Sequence, residues 1–234
     1  YKHKSSRRWH TFTCWCCPPQ LFRTMAGMGR WVYGQSDDTV YVNMFTNCDY
    51  ETDSVELSMK TNYPWSDEIS IDVKKAESQK LKIRIPAWCK KPVVNGNSVA
   101  AGEYFEMIIT EGDSICIKLP MEAVLIQANP NVEQDRGMLA VKRGPVVYCA
   151  EGMDNEHSLD EIYIDPQGAI TEAYHADLLD GVVTLSAAAK YRPQKAELYY
   201  ELQTEESDTT LNLIPYYAWA NREESDMSVW FPKA

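Results

Sequence analysis

Three of the seven cysteines, Cys14, Cys16 and Cys17, lie within four consecutive positions near the start of the chain. Pro18 and Pro19 follow them and favour the first turn of a helix, where a missing N–H group costs nothing. A helix N-terminus carries unsatisfied N–H groups and a partial positive charge, which favour a thiolate over a thiol. Because thiolates bind zinc or attack carbon, the spacing predicts a reactive sulfur pair at Cys16 and Cys17.

A structural zinc site takes about four ligands, usually from two separated pairs. The sequence supplies one end only, because no second Cys-x-x-Cys or His-x-x-x-His follows. His3 and His10 lie in a polar stretch, and His157 and His175 are isolated. We expect either a reduced structural cluster or a site whose other ligands lie upstream of Tyr1.

The remaining cysteines lie in or beside apolar runs, and we expect them to be buried and to behave as small hydrophobic residues. They are Cys48, Cys89, Cys116 and Cys149.

Composition and charge exclude several classes of protein. The 234 residues carry a net charge of −11, which argues against nucleic-acid binding because phosphate contacts need clustered Lys and Arg. No stretch reaches the roughly 20 apolar residues of a membrane span. Residues 1–32 nevertheless hold six Lys and Arg and no acid. Together with a start at Tyr1 rather than Met, this basic head predicts a fragment of a longer polypeptide.

From residue 39 onward the apolar residues alternate with polar ones, which is typical of strands with one buried face. The alternation is strict in Lys80–Ile85, and Asn95-Gly96 is a hairpin signal because both positions favour a positive φ. Short strands at roughly ten-residue spacing predict antiparallel β-sandwiches. We place one sandwich at residues 33–131 and a second at 138–221, separated by a polar, proline-interrupted segment.

A helix is predicted directly after the cysteines, over residues 18–30. Leu21, Met25 and Met28 recur at helical spacing, and Phe22 widens the apolar stripe. No partner for this stripe is evident in the sequence. We expect it to dock on the first sandwich, to associate with another chain, or to be poorly ordered.

Six motifs spread along the chain give a specific family resemblance. They are CWCCPPQ at 14–20, TNYPW at 61–65, LKIRIPAWC at 81–89, VNG at 94–96, RGPVVYC at 143–149 and IPYYAWANR at 214–222. Taken together they resemble the bacterial β-L-arabinofuranosidase family of retaining glycoside hydrolases, which use a cysteine nucleophile.

The resemblance implies an N-terminal (α/α)₆ barrel that carries the catalytic cleft, followed by two β-sandwiches. Residues 1–32 would be the tail end of that barrel, which is otherwise absent from this chain. Residues 222–234 are expected to return to the first sandwich. The fold class expected is therefore mainly β, with two antiparallel β-sandwich domains preceded by a short helix.

By resemblance, Cys16 is the nucleophile and a zinc ligand, and Cys17 is a zinc ligand only. The role of Cys14 is open. The remaining ligands, the acid/base Glu and the sugar-binding residues would belong to the upstream barrel. Trp15 and Gln20 depart from the family pattern. We expect the isolated chain to be inactive and not to hold zinc stably, and we expect the carbohydrate substrate to be bound by the missing barrel.

Two alternatives remain open at the level of the sequence. One is a non-catalytic module that binds carbohydrate or braces a partner domain, since the chain has 7 Trp and 14 Tyr. The other is a structural thiolate–metal protein. The resemblance is to bacterial proteins, of the cytoplasm or the periplasm, and the sequence does not choose between these compartments.

Overall fold

The computed structural model describes residue 8 and residues 15–201 and 205–234. Cys14, His3 and His10 lie outside these described residues. The chain divides into two compact units, Thr11–Met121 and Glu122–Ala234, the latter together with Tyr1–His10. We refer to them as the N-terminal unit and the C-terminal unit.

The N-terminal unit begins with two helices, α1 (Cys17–Gly27) and α2 (Gly29–Val32), followed by ten strands. A four-stranded sheet has the order β1-β2-β6-β9, and a six-stranded sheet has the order β3-β4-β5-β10-β7-β8. All pairs are antiparallel except β2 with β6. The strands are β1 (Tyr33–Ser36), β2 (Thr39–Val42), β3 (Cys48–Glu51), β4 (Glu56–Thr61), β5 (Glu68–Lys75), β6 (Gln79–Arg84), β7 (Val93–Val94), β8 (Asn97–Ser98), β9 (Tyr104–Ile109) and β10 (Ser114–Lys118).

Alternation along the strands builds the core of this unit. In β6, Leu81 and Ile83 are fully buried while the residues between and beside them face outward. The same period in β5 buries Ile69 and Ile71. These residues join one apolar cluster drawn from both sheets, as the period of two predicts. The Asn95-Gly96 turn has the two positive φ values expected of it, 49° and 80°, and joins β7 to β8.

The C-terminal unit is built on one nine-stranded sheet with the order β11-β12-β13-β17-β16-β14. Strand β15 pairs with β16, while β18 and β19 pair with β13 and β12. The strands are β11 (Ala123–Gln127), β12 (Met138–Arg143), β13 (Val146–Glu151), β14 (Ile162–Ile164), β15 (Ile170–His175), β16 (Val182–Tyr191), β17 (Ser207–Pro215), β18 (Met227–Ser228) and β19 (Phe231–Pro232).

Two expected boundaries differ from what the strand pairing shows. Strand β11 pairs with β12 along its whole length, so the first unit ends about ten residues earlier than the expected 131. Strands β18 and β19 pair with β13 and β12, whereas we expected residues 222–234 to return to the first sandwich. Backbone hydrogen bonding to β12 and β13 places both segments in the C-terminal unit.

The predicted helix is present as α1 and α2, with a break at Met28, and the fold class is mainly β as predicted. The side chains of Leu21, Phe22 and Met25 are 58, 68 and 60% exposed. The apolar stripe therefore does not dock on the first sandwich. In the part of the chain that the structure describes, no helix is long and apolar enough to cross a membrane.

Candidate active site

The sulfur pair lies at the first turn of α1. Cys16 is the N-cap residue and Cys17 is the first residue of the helix. Their Sγ atoms are 3.7 Å apart, and both residues are exposed. Because the two following prolines have no N–H groups to satisfy, the chain can start a helix here without a side-chain cap. The local sequence thus holds both sulfurs on one end of one helix.

The spacing of these sulfurs fits two positions around a zinc ion. Thiolates bound at about 2.3 Å in a tetrahedral site lie about 3.8 Å apart, which is close to the Sγ–Sγ distance here. Among the described residues, no group of three or more His, Cys, Asp or Glu side chains could complete such a site. Of the roughly four donors that such a site needs, the described residues thus bring together two sulfur atoms here.

The surroundings of the pair are open and apolar. Trp15, which departs from the family pattern, is 74% exposed, and Cys16 and Cys17 are exposed as well. Gln20, the other departure, accepts a 3.5 Å hydrogen bond from Arg23 on the same helix. The exposed stripe of α1 starts one turn beyond the cysteines, so the thiols and an uncovered apolar surface share one element.

The other cysteines have different environments, and the prediction that all four are buried is partly wrong. Cys89 and Cys149 are fully buried. Burial raises the pKa of Cys149 to about 12, which keeps its thiol neutral. Cys48 is partly buried, and Cys116 is exposed on the outer face of β10. Alternation explains the exposure, because Cys116 lies between the buried Ile115 and Ile117.

The C-terminal unit contains a buried ionic network that sequence reasoning missed. Glu151, at the end of β13, is 1% exposed. Its Oε1 atom accepts the backbone N–H of Ala220 at 2.8 Å, and its Oε2 atom accepts Arg222 Nη2 at 2.5 Å. Arg222 Nη1 also donates to Asp154 at 2.9 Å. The hydrogen bonds that Arg222 donates to the two carboxylates, the one to Asp154 above all, raise the pKa of its guanidinium. A carboxylate ending an apolar strand was the signal that could have revealed it.

Arg8 binds to the turn at residues 217–220, which this network holds in place. The Arg8 backbone N–H donates to the carbonyl of Ala220 at 3.2 Å. Its guanidinium donates to the carbonyls of Trp219 at 3.1 Å and Tyr217 at 2.5 Å. Residues 217–220 therefore bind a basic side chain from the head of the chain through main-chain oxygens.

Comparison with known proteins shows which family the chain belongs to. The family model of the β-L-arabinofuranosidase GH127 middle domain matches residues 39–121. The model of the glycoside hydrolase family 127 C-terminal domain matches residues 123–232. The chain belongs to glycoside hydrolase family 127. The resemblance inferred from the motifs is thereby confirmed, and the two matches meet where the strand pairing separates the two units.

Individual members of family 127 resemble this chain over nearly its full length. The non-reducing end β-L-arabinofuranosidase of Bifidobacterium longum subsp. longum is 31% identical over 97% of this chain and 38% of its own. A GH127 β-L-arabinofuranosidase from Geobacillus stearothermophilus T6 superposes with a TM-score of 0.86 at 31% identity, covering 98% of this chain and 39% of its own. Another GH127 β-arabinofuranosidase superposes with a TM-score of 0.83 at 29% identity, covering 95% and 39%. This chain thus spans about two fifths of the length of these relatives.

Proposed function

We propose that this chain is the C-terminal part of a retaining glycoside hydrolase that acts on β-L-arabinofuranosides or related plant-glycan sugars. In this proposal Cys16 is the nucleophile. The observation that carries the proposal is the exposed pair of sulfurs 3.7 Å apart at the N-terminus of α1. The names of the relatives supply the substrate class.

Retaining hydrolysis needs a nucleophile on one side of the glycosidic bond and an acid on the other. The Cys16 thiolate would attack the anomeric carbon, forming a C–S bond as the glycosidic C–O bond breaks. A Glu outside this chain would give its proton to the departing oxygen and then take one from the attacking water. That water would attack the anomeric carbon and break the C–S bond. The thiolate would be restored, and the sugar would be released with its original anomeric configuration.

Cys16 and Cys17 would together supply two ligands of a zinc ion, because their Sγ–Sγ distance of 3.7 Å suits a tetrahedral site. Such an ion keeps a bound sulfur ionised and oriented. Cys17 lies inside the first turn of the helix, so its position is fixed by the same backbone that places Cys16. As the family resemblance implies, Cys16 would be both nucleophile and zinc ligand in this proposal, and Cys17 would be a zinc ligand only.

The isolated chain lacks half of what this chemistry needs. Two further zinc ligands and the acid would come from elsewhere, because the described residues hold no third ligand beside the pair. The exposed stripe of Leu21, Phe22 and Met25 beside the thiols would pack against the part of the enzyme that supplies them. We therefore infer that this chain alone is inactive and does not bind zinc tightly.

The experiment is a chimera of the Bifidobacterium longum relative in which this chain replaces the matching 38% of the enzyme. Hydrolysis of an aryl β-L-arabinofuranoside is measured for the chimera and for Cys16→Ser, Cys17→Ser and Cys116→Ser. Cys116 is the matched control, because it is also exposed but lies on β10. We expect Cys16→Ser to abolish kcat, Cys17→Ser to lower both zinc content and activity, and Cys116→Ser to change neither. An active chimera that keeps its activity without Cys16 contradicts the proposal.

A further inference from the structure

A cavity of about 780 Å³ lies within the C-terminal unit, between strands β18 and β19, the starts of β12 and β13, and the turn at Tyr216. This volume falls in the range of roughly 300–1,000 Å³ that is typical of small-molecule sites. The sheet holds the walls in place, because β18 pairs with β13 and β19 pairs with β12. The cavity is thus a formed feature of the fold.

Two aromatic rings line the cavity, Tyr216 and Trp230. The ring of Tyr216 is stacked on Trp219, with centroids 6.5 Å apart, and remains 44% exposed. The turn that carries Tyr216 is held in place, because the Glu151 carboxylate accepts a hydrogen bond from the backbone N–H of Ala220. A ring held in this way can offer its electron-rich face to a ligand at little entropic cost.

Polar groups with unused hydrogen-bonding capacity surround these rings. The backbone N–H of Gln194 donates to Glu161 Oε1 at 2.8 Å, and its Nε2 donates to the carbonyl of Asp160 at 3.0 Å. This fixes the amide, whose oxygen accepts no hydrogen bond from the described residues. The carboxylate of Asp160 and the indole N–H of Trp230 likewise have no partner among them. The lining therefore combines a carboxylate, an amide oxygen that is held in place and an indole N–H donor.

The charge of the lining restricts the ligand. Among the described residues that line the cavity, Asp160 is the charged one, and none is Lys or Arg. The whole chain carries −11. An anionic ligand such as a phosphate ester would find no counter-charge here. Hydrogen-bonding groups beside aromatic rings instead suit a neutral ligand. Its hydroxyl groups would bind the polar side chains, and its C–H groups would pack on the rings.

We propose that this cavity binds a neutral saccharide. Its ring would stack on Tyr216 and Trp230, and its hydroxyl groups would donate to Asp160 and Gln194 and accept from the Trp230 indole. The site uses residues of the C-terminal unit alone. It goes beyond the proposed hydrolysis and stands whether or not Cys16 is a nucleophile.

The test uses the ¹⁵N-labelled 234-residue chain, titrated with β-L-arabinobiose and with short xylo- and gluco-oligosaccharides. We expect at least one saccharide to shift the Trp230 indole N–H resonance in a saturable way, with the resonance assigned from a Trp230→Phe variant. Tyr216→Ala should weaken binding roughly tenfold, and Asp160→Asn by a similar factor. Tyr217→Ala is the matched control, because that neighbouring tyrosine is also exposed but does not line the cavity, and it should leave the affinity within about twofold.

Absence of a saturable shift with every saccharide up to about 0.1 M would overturn the proposal. So would equal losses in Tyr216→Ala and Tyr217→Ala. Tetramethylammonium is titrated in parallel, and binding of that cation without any saccharide would assign the rings and Asp160 to a cationic ligand instead. If Tyr216→Ala fails to fold, the wild-type shifts decide, since saccharide-induced shifts confined to other parts of the chain contradict the assignment.

Discussion

Removal of Arg222 should destabilise the C-terminal unit, because the buried carboxylate of Glu151 would lose its counter-ion. Glu151 is 1% exposed, and two groups satisfy its carboxylate, the Ala220 N–H and Arg222. In Arg222→Met the aliphatic stem remains, while the Glu151 charge loses its counter-ion. Breaking a buried ion pair in this way costs about 3–5 kcal/mol. Because the Arg222 side chain is 19% exposed, we expect a loss near the lower end of that range.

The double variant separates charge from packing. In Glu151→Gln with Arg222→Met, the glutamine oxygen can still accept the Ala220 N–H, and the carboxylate that remains, Asp154, has a side chain that is 23% exposed to water. The double variant should therefore lose only about 1–2 kcal/mol, less than Arg222→Met alone. Asp208→Asn is the control, because its ion pair with Lys190 is 90% exposed on the Asp208 side and should leave the free energy of unfolding unchanged.

The measurement must report on the C-terminal unit alone, since two units need not unfold together. Hydrogen exchange in increasing urea, read by mass spectrometry on peptides from β13 and β17, gives the free energy of unfolding for that unit. A loss below about 1 kcal/mol in Arg222→Met would contradict this prediction, because it would mean that Glu151 needs no counter-ion. A double variant less stable than the single variant would refute it equally.

Three further predictions concern the activity of the isolated chain, the buried thiol of Cys149 and the exposed ring of Phe22. The isolated chain should not hydrolyse an aryl β-L-arabinofuranoside, and turnover that is abolished by Cys16→Ser would contradict this. Burial raises the pKa of the Cys149 thiol from 9.0 to about 12. As the pH rises, the unfolded chain therefore loses the thiol proton before the folded chain does. The free energy of unfolding should consequently fall between about pH 9 and 12. Urea midpoints at pH 8 and pH 10 check this, and the fall should be smaller in Cys149→Ala; an equal fall would exclude Cys149 as a source. Phe22→Gln should change the free energy of unfolding by less than about 0.5 kcal/mol, because Phe22 is 68% exposed, and a loss above about 1 kcal/mol would show that the chain covers it.

The strands were predictable because their signal is local. The alternation in Lys80–Ile85 and the turn at Asn95-Gly96 need only neighbouring residues to be recognised. The helix after Cys17 was predictable for the same reason, since prolines at its start and an apolar stripe lie within 12 positions.

Partner choice between distant strands was not predictable. Nothing in the five residues Ala123–Gln127 says that they pair with β12 rather than with the preceding sheet. The same holds for Met227–Ser228, which pairs with the end of β13. Strand pairing depends on contacts across long sequence separations, so a single sequence carries little information about it.

Some functional features of the chain were likewise predictable from the sequence, and others were not. The pair at Cys16 and Cys17 is defined by adjacent positions, and their Sγ spacing follows from one helical turn. The Glu151–Arg222 contact joins residues 71 positions apart. The cavity beside Tyr216 is assembled from several strands and turns, so its lining became visible only when the sheet order was known.

The identity of the nucleophile is tested most directly by the mass of the glycosylated enzyme. The chimera is incubated with an aryl β-L-arabinofuranoside, quenched in acid during turnover, digested and mapped by mass spectrometry. We expect one pentosyl group on the peptide that contains Cys16, absent in Cys16→Ser and present in Cys116→Ser. A pentosyl adduct on any other residue, with turnover preserved in Cys16→Ser, would contradict it.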